Sequence, residues 1–185
     1  MGREPKARQV ILDAARRIVR EQGAGKLTFE GLVQESGVTR GGITYHFATK
    51  QALLRALLEA DMEQWSELEE SSRPADMCGH AADLLGHIRC HTARNEDRRR
   101  FVAGMVSAVT HDRTLLDPVR EFISEKRAGV KWNDAQLRRH LLRLAAEGLF
   151  WSELFEYGEL EPAVRKRLVE MMERLAVEWS EKSPT

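Results

Sequence analysis

The sequence predicts an all-α fold, and three observations carry that expectation. No stretch of its 185 residues alternates apolar and polar side chains as a half-buried strand would. Long segments instead repeat apolar residues at i, i+3, i+4 and i+7, joined by short runs containing glycine, proline, asparagine or aspartate. With 42% hydrophobic residues, the chain is long enough to bury a proper core, as one domain or as a small domain beside a medium one.

Residues 1–5 read as a short polar arm. From Lys6 to Gln22, Val10, Ile11, Ala14, Ala15, Ile18 and Val19 follow the helical period, and Gly23 and Gly25 end the helix. The Gly25-Lys26 pair does not complete a phosphate loop, because GxxxxGK[ST] requires glycine where Arg20 stands and Ser or Thr where Leu27 stands. Residues 28–50, TFEGLVQESGVTRGGITYHFATK, then read as two short helices around a tight turn, leading into a longer helix. Thr28 caps the first, which carries Phe29, Leu32 and Val33 at helical spacing and stops at Ser36-Gly37-Val38. Thr39 caps the second. In that second helix only Ile43 and Phe47 look built for a core, while Arg40, Gly41, Gly42, Thr44, Tyr45 and His46 are small or hydrogen-bonding. Each helical glycine costs roughly 1 kcal/mol relative to alanine, which makes sense where a backbone must come close to something.

A long helix over residues 50–72 follows, with Leu53, Leu54, Leu57, Leu58, Met62 and Trp65 on its apolar side. Further helices are expected at 75–92, 97–110, 112–129, 135–157 and 162–181. The last carries one stripe of Val164, Leu168, Met171, Met172, Leu175 and Trp179. The helix before it offers Leu137, Leu141, Leu144, Ala145, Gly148, Ser152 and Phe155 as an inward face, yet Leu149, Phe150, Trp151 and Leu154 are apolar as well. A helix apolar nearly all round is buried on more than one side, and in so short a chain a second copy is the expected cover, the alternative being a central position within a monomer. The dimer candidates are Gly148, Trp151, Leu154, Leu168, Met172 and Leu175, with Gly148 permitting close approach.

Charge is balanced overall but not along the chain. Residues 1–50 hold nine Lys/Arg against five Asp/Glu, whereas the remainder holds 20 against 24. The excess of positive charge lies where the two-helix motif lies, as contact with phosphate requires. Cys78 and Cys90 form neither a CxxC pair nor a disulfide framework, and no apolar run approaches 18 residues. A soluble cytoplasmic protein with reduced thiols, no membrane partner and no cofactor is expected.

The motif T-F-E-G-L-V-Q-E-S-G-V-T-R-G-G-I-T-Y-H-F-A-T-K-Q-A-L-L resembles the helix-turn-helix of the TetR family of bacterial transcriptional regulators, including its Y-x-F-x-x-K-x-x-L-L ending. The resemblance covers residues 6–58, and L-A-A-E-G-L-F-W-S-E-L-F is similar to the family's penultimate, dimer-forming helix. It implies a DNA-binding domain over residues 1–50 and a ligand-binding and dimerisation domain over 51–185. It also implies a homodimer that binds a double-stranded DNA operator and is a repressor released by a small-molecule effector. Carried over by residue, Thr28 meets a phosphate, and Thr39, Arg40, Gly41 and Gly42 open the recognition helix, with Arg40 reading a guanine. Tyr45 and His46 contact phosphate and base, and Lys50 contacts the DNA backbone. Thr44 departs from the family, which often has an aromatic there, so its contact is a hydroxyl bond or a thymine methyl. Tyr45 and Phe47 also suit closing the small domain's own core.

The effector is less legible. The resemblance puts the pocket among the middle helices, where Met62, Trp65, Met77, Phe101, Met105 and Phe122, with Cys78 and Trp132, suit an apolar guest and suit ordinary core equally. His80, His87 and His91 fall along one helix edge. The i, i+4 spacing of His87 and His91 is one that holds metals, but no second ligand cluster accompanies it and no metal is expected. Arg98-Arg99-Arg100 reads as a solvated face. Neither HExxH, GxSxG nor a catalytic pair in a recognisable setting is present, which disfavours an enzyme with a locally encoded site. A helical protein-interaction module remains the alternative, and it leaves the glycine-bearing second helix without a purpose.

Overall fold

A computed structural model describes residues 4–181, and among these it contains nine α-helices, two short 3-10 turns and no strand. The helices are α1 (Glu4–Gln22), α2 (Phe29–Ser36), α3 (Arg40–His46), α4 (Lys50–Ser71), α5 (Gly79–Thr92), α6 (Glu96–His111), α7 (Asp117–Arg127), α8 (Asp134–Leu154) and α9 (Pro162–Glu181). Of the expected polar arm, residues 1–3 lie outside the described residues, and from Glu4 the chain is helical.

Three boundaries differ from expectation by more than two residues. Helix α5 begins at Gly79 instead of residue 75, because Pro74–Met77 close a turn in which the Met77 amide donates to the Pro74 carbonyl at 3.3 Å. The helix expected over 112–129 opens as a 3-10 turn (Arg113–Leu116) before α7, since Pro118 has no amide hydrogen to donate back to Thr114. Helix α8 stops at Leu154, where the Tyr157 amide and the Ser152 hydroxyl fold the chain back, donating to the Ser152 and Tyr157 carbonyls at 3.1 and 2.6 Å.

The chain forms two compact units, residues 1–63 with 95–128, and residues 64–94 with 129–185. They do not follow a division at residue 50: the first unit runs on through the start of α4 and takes in α6 and α7. Its core joins Ile11, Ala14, Ile18 and Val19 of α1 to Leu32, Ile43, Phe47, Leu53, Leu57, Phe101 and Met105. Each of the larger of these side chains contributes about 1.5–3 kcal/mol by leaving water. On its polar side, Asp61 is buried and receives Arg16 at 2.8 Å and Arg98 at 3.6 Å, while the Arg16 guanidinium lies 4.1 Å from the Phe101 ring centre. Arg98 therefore is not on a solvated face; only Arg100 behaves so, in an exposed pair with Glu96.

The second unit packs α5 between α8 and α9 around Leu84, Leu85, Ile88, Leu142, Ala146, Leu149, Met172 and Ala176. Arg165 of α9 is paired with Glu153 of α8 and donates to the Thr92 carbonyl of α5 at 2.6 Å, linking the three helices. A Cβ on Gly86 would sit 2.5 Å from the Glu69 carbonyl oxygen. Only glycine allows α5 that close to the end of α4. The inward face of α8 is the reverse of the one expected. Leu142, Ala146, Leu149 and Phe150 are buried, whereas Leu137, Leu141, Leu144 and Phe155 are at least half exposed. Periodicity identifies a face but not which of two apolar faces meets the protomer's own core.

Candidate nucleic-acid interface

Helices α2 and α3 form a helix-turn-helix whose local geometry follows from five residues. The Thr28 hydroxyl accepts from the Gly31 amide at 3.0 Å and the Thr39 hydroxyl from the Gly42 amide at 3.2 Å, so both helices are side-chain capped. Gly37 ends α2 with φ of 69°, the left-handed turn that its sequence position implies. Ile43 and Phe47 turn into the core, which leaves Arg40, Gly41, Thr44 and Tyr45 on the outer face of α3. Tyr45 is 74% exposed, so it does not close the core; Phe47, at 4%, does.

The two glycines of α3 serve different ends. A Cβ on Gly42 would stand 2.9 Å from Val38 Cγ1 and 3.3 Å from Thr39 Oγ1, so Gly42 is required by the turn itself. A Cβ on Gly41 would meet nothing within 4 Å. Nothing inside the protein asks for glycine at position 41.

The polar residues have partners within the protein. Arg40 is ion-paired with Glu30 of α2, both more than 60% exposed, and its guanidinium lies 5.9 Å from the Phe29 ring centre. The Glu30 carboxyl is held below the usual carboxylate range, first by its own backbone amide at the start of α2 and then by Arg40. The Thr44 hydroxyl donates back to the Arg40 or Gly41 carbonyl at 3.1–3.2 Å, so its methyl is the group it has to offer outward. The His46 ring meets the Tyr45 ring edge-on at 5.2 Å. Lys50 is partly withdrawn: its ammonium donates to the Gly25 carbonyl at 3.2 Å, and burial pushes its pKa down.

Comparison with known proteins bears on this geometry directly. Residues 11–57 match the family model "Bacterial regulatory proteins, tetR family", and residues 84–177 match "Tetracyclin repressor-like, C-terminal domain", which alone spans half of the chain. The chain belongs to the TetR family. Among relatives, it is 32% identical over 102 residues to the HTH-type transcriptional regulator AcrR of Shigella flexneri, covering 54% of this chain and 47% of that one. It is 46% identical over 57 residues to the HTH-type transcriptional repressor Rv1474c of Mycobacterium tuberculosis, covering 31% of this chain and 30% of that one. The matched stretches thus span about half of the first relative's length and less of the second's. A solved TetR-family regulator from Rhodococcus sp. superposes with a TM-score of 0.68 at 16% identity, over 92% of this chain and 99% of the other, a likeness of fold.

Away from the helix-turn-helix, the effector candidates divide. Phe101 and Met105, 1% and 3% exposed, are shut in the first core, where apolar bulk serves packing. Met62 is half-buried, and Phe122 is covered by the Lys126 ammonium 4.4 Å from its ring centre. In the second unit, Met77 lines an open groove of about 390 Å³ with Pro74, Leu85, Arg89, Glu173 and Val177, and Trp65 packs edge-on against His91 at 4.6 Å. Among the dimer candidates, Met172 is buried in its own core and Leu168 and Leu175 pack against it, whereas Gly148 and Trp151 are exposed. Leu154 is intermediate.

The histidines also divide. His80 is exposed, but His87 is buried with its ring centre 4.0 Å from that of His91, the two rings tilted by 34°, and Glu147 of α8 joins them. Glu147 carries no signal in the sequence, since only the packing of α8 on α5 brings it there.

Proposed function

We propose that this TetR-family chain is a DNA-binding transcriptional regulator, a cytoplasmic repressor that as a homodimer holds a palindromic operator through paired α3 helices. A dimer of such motifs reads half-sites with recognition helices roughly 34–36 Å apart. The observation that carries the reading is the outer face of α3, where Gly41 has no internal reason to lack a side chain while Arg40 and Tyr45 stand exposed beside it. In this reading Arg40 addresses a base edge and Thr28, Tyr45, His46 and Lys50 position the backbone, with residues 1–50 as the DNA-binding part. Residues 51–185 serve dimerisation and take a small molecule of apolar character, for which half-buried Trp65 and Met77 are the candidates. The effector favours a conformation whose helix spacing no longer fits the operator. No catalytic role is assigned.

Selection from a random oligonucleotide pool, followed by binding measured at several salt concentrations, tests this. An inverted-repeat consensus with affinity that falls steeply with salt is the expected result. Absence of retained DNA at low salt would sink the reading.

A further inference from the structure

The pair of histidines that α5 presents to α8 is a metal-ligand constellation whose third member the fold supplies. One ligand atom from each of His87, His91 and Glu147 lies within 4.8 Å of the others. Around a zinc ion with bonds of about 2.0–2.1 Å, tetrahedral ligands stand about 3.3 Å apart, so closing on an ion asks for side-chain shifts on the order of 1 Å.

The surroundings orient these ligands as a metal site does. Nδ1 of His91 contacts the His87 backbone carbonyl at 2.9 Å, which assigns its proton to Nδ1 and the lone pair to Nε2. Nδ1 of His87 faces the Glu69 carboxylate at 3.3 Å and Nε2 faces Glu147 at 3.5 Å, and Arg143 holds Glu69 at 3.2 Å. A carboxylate behind a histidine that faces a cation is the outer arrangement typical of metal-bound imidazole. His87 is 5% exposed, yet neither ring nitrogen completes a well-formed hydrogen bond. A buried imidazole whose Nε2 is met only by a carboxylate 3.5 Å away is loosely held on that side, and a cation shared with His91 and Glu147 would close the gap. Glu147 is 42% exposed along its side chain and so gives an ion a way in from solvent.

We propose that the second unit binds one divalent first-row transition metal ion of the zinc type through His87, His91 and Glu147, with a fourth position open to water. Two neutral imidazoles and one carboxylate form a borderline N/O set that suits zinc and cobalt better than calcium or magnesium, which prefer oxygen alone. Glu69 is a positioning residue that holds the His87 ring through Nδ1.

The test uses the untagged 185-residue chain, stripped with chelator and titrated with Co²⁺ and Zn²⁺ in the absence of DNA, so that its outcome is independent of operator binding. One Co²⁺ per chain, with visible d–d absorption that Zn²⁺ displaces, is expected. Glu147→Gln and His91→Ala should each lower affinity by tenfold or more, and Glu69→Gln by about 10–100-fold, with helical circular dichroism unchanged. Glu147→Gln is near-isosteric at a half-exposed position, so it reports on binding even if His91→Ala fails to fold. Loss of the cobalt spectrum in the variants supports the site. Absence of stoichiometric uptake by the natural chain, or equal uptake by Glu147→Gln, overturns it and leaves His87 as an imidazole held only between two carboxylates.

Discussion

Arg40 at the start of α3 is ion-paired with Glu30 on α2, so the residue proposed to read a base is held by a carboxylate of its own motif. Both side chains are more than 60% exposed, and exposed pairs of this kind are worth about 0–1 kcal/mol, little enough to exchange for a guanine edge. Arg40→Ala should therefore flatten preference at one base pair of each half-site by about 1–3 kcal/mol while leaving non-specific binding nearly intact. Glu30→Gln should raise affinity for all DNA a few-fold, with a steeper salt dependence, because it frees a cation and removes a negative charge beside the phosphates. Anisotropy titrations on the selected operator and on single-position variants measure both. Equal loss on every sequence from Arg40→Ala would reassign Arg40 to positioning.

The glycines of α3 separate fold from function. At position 41 an added Cβ meets open space, and alanine is the better helix former by roughly 1 kcal/mol, so Gly41→Ala should leave thermal stability unchanged or slightly raised. If the backbone at Gly41 sits against the DNA groove, the same change weakens operator binding. Gly42→Ala should act the other way, lowering the melting temperature because its Cβ presses on Val38 and Thr39. Thermal melts of both variants beside operator titrations distinguish the two roles, and unaltered binding by Gly41→Ala removes the groove-approach argument.

The helix-turn-helix was legible because its information is local: caps at Thr28 and Thr39, a left-handed turn at Gly37 and core residues at Ile43 and Phe47 all act within a few positions. The rest depends on which helix meets which. Periodicity along α8 offered two apolar faces, and only packing against α5 and α9 shows that Leu142, Ala146 and Leu149 point inward. The partnering of Asp61 with Arg16 and Arg98, and of Glu147 with His87 and His91, joins residues from separate helices and leaves no trace in spacing.

That acidic partner at position 61 gives a stability prediction. Asp61 has a side chain only 9% exposed and neutralises Arg16 and Arg98, themselves 20% and 18% exposed. Removing the buried carboxylate takes away the partner that Arg16 and Arg98 share, so Asp61→Ala should cost about 3 kcal/mol. Arg16 and Arg98 come from α1 and α6, and the loss should appear in urea unfolding as a lower midpoint with unchanged slope. A change within 0.5 kcal/mol would mean that solvent screens the cluster.

The face of α8 turned away from its own core sets the last expectation. Leu137, Leu141 and Leu144 are 51%, 58% and 50% exposed, and Trp151 and Phe155 continue the apolar surface at 39% and 50%. On α9, Val164 and Met171 are exposed as well. Gly148 sits within the α8 stretch with nothing within 4 Å of an added Cβ, so a facing helix meets no side chain there. Because Leu144 lies outside the protomer core, Leu144→Glu should leave helical content intact while placing a carboxylate in the apolar face proposed to pair with a second copy. Light scattering on the eluting protein should then give about the 21.1 kDa of a single chain, where the dimer proposed for the natural sequence would give twice that mass. Operator affinity should fall with it, since two half-sites bound independently lose the gain of linkage. A dimer that survives Leu144→Glu would place the contact on another surface and leave this apolar face without an assigned cover.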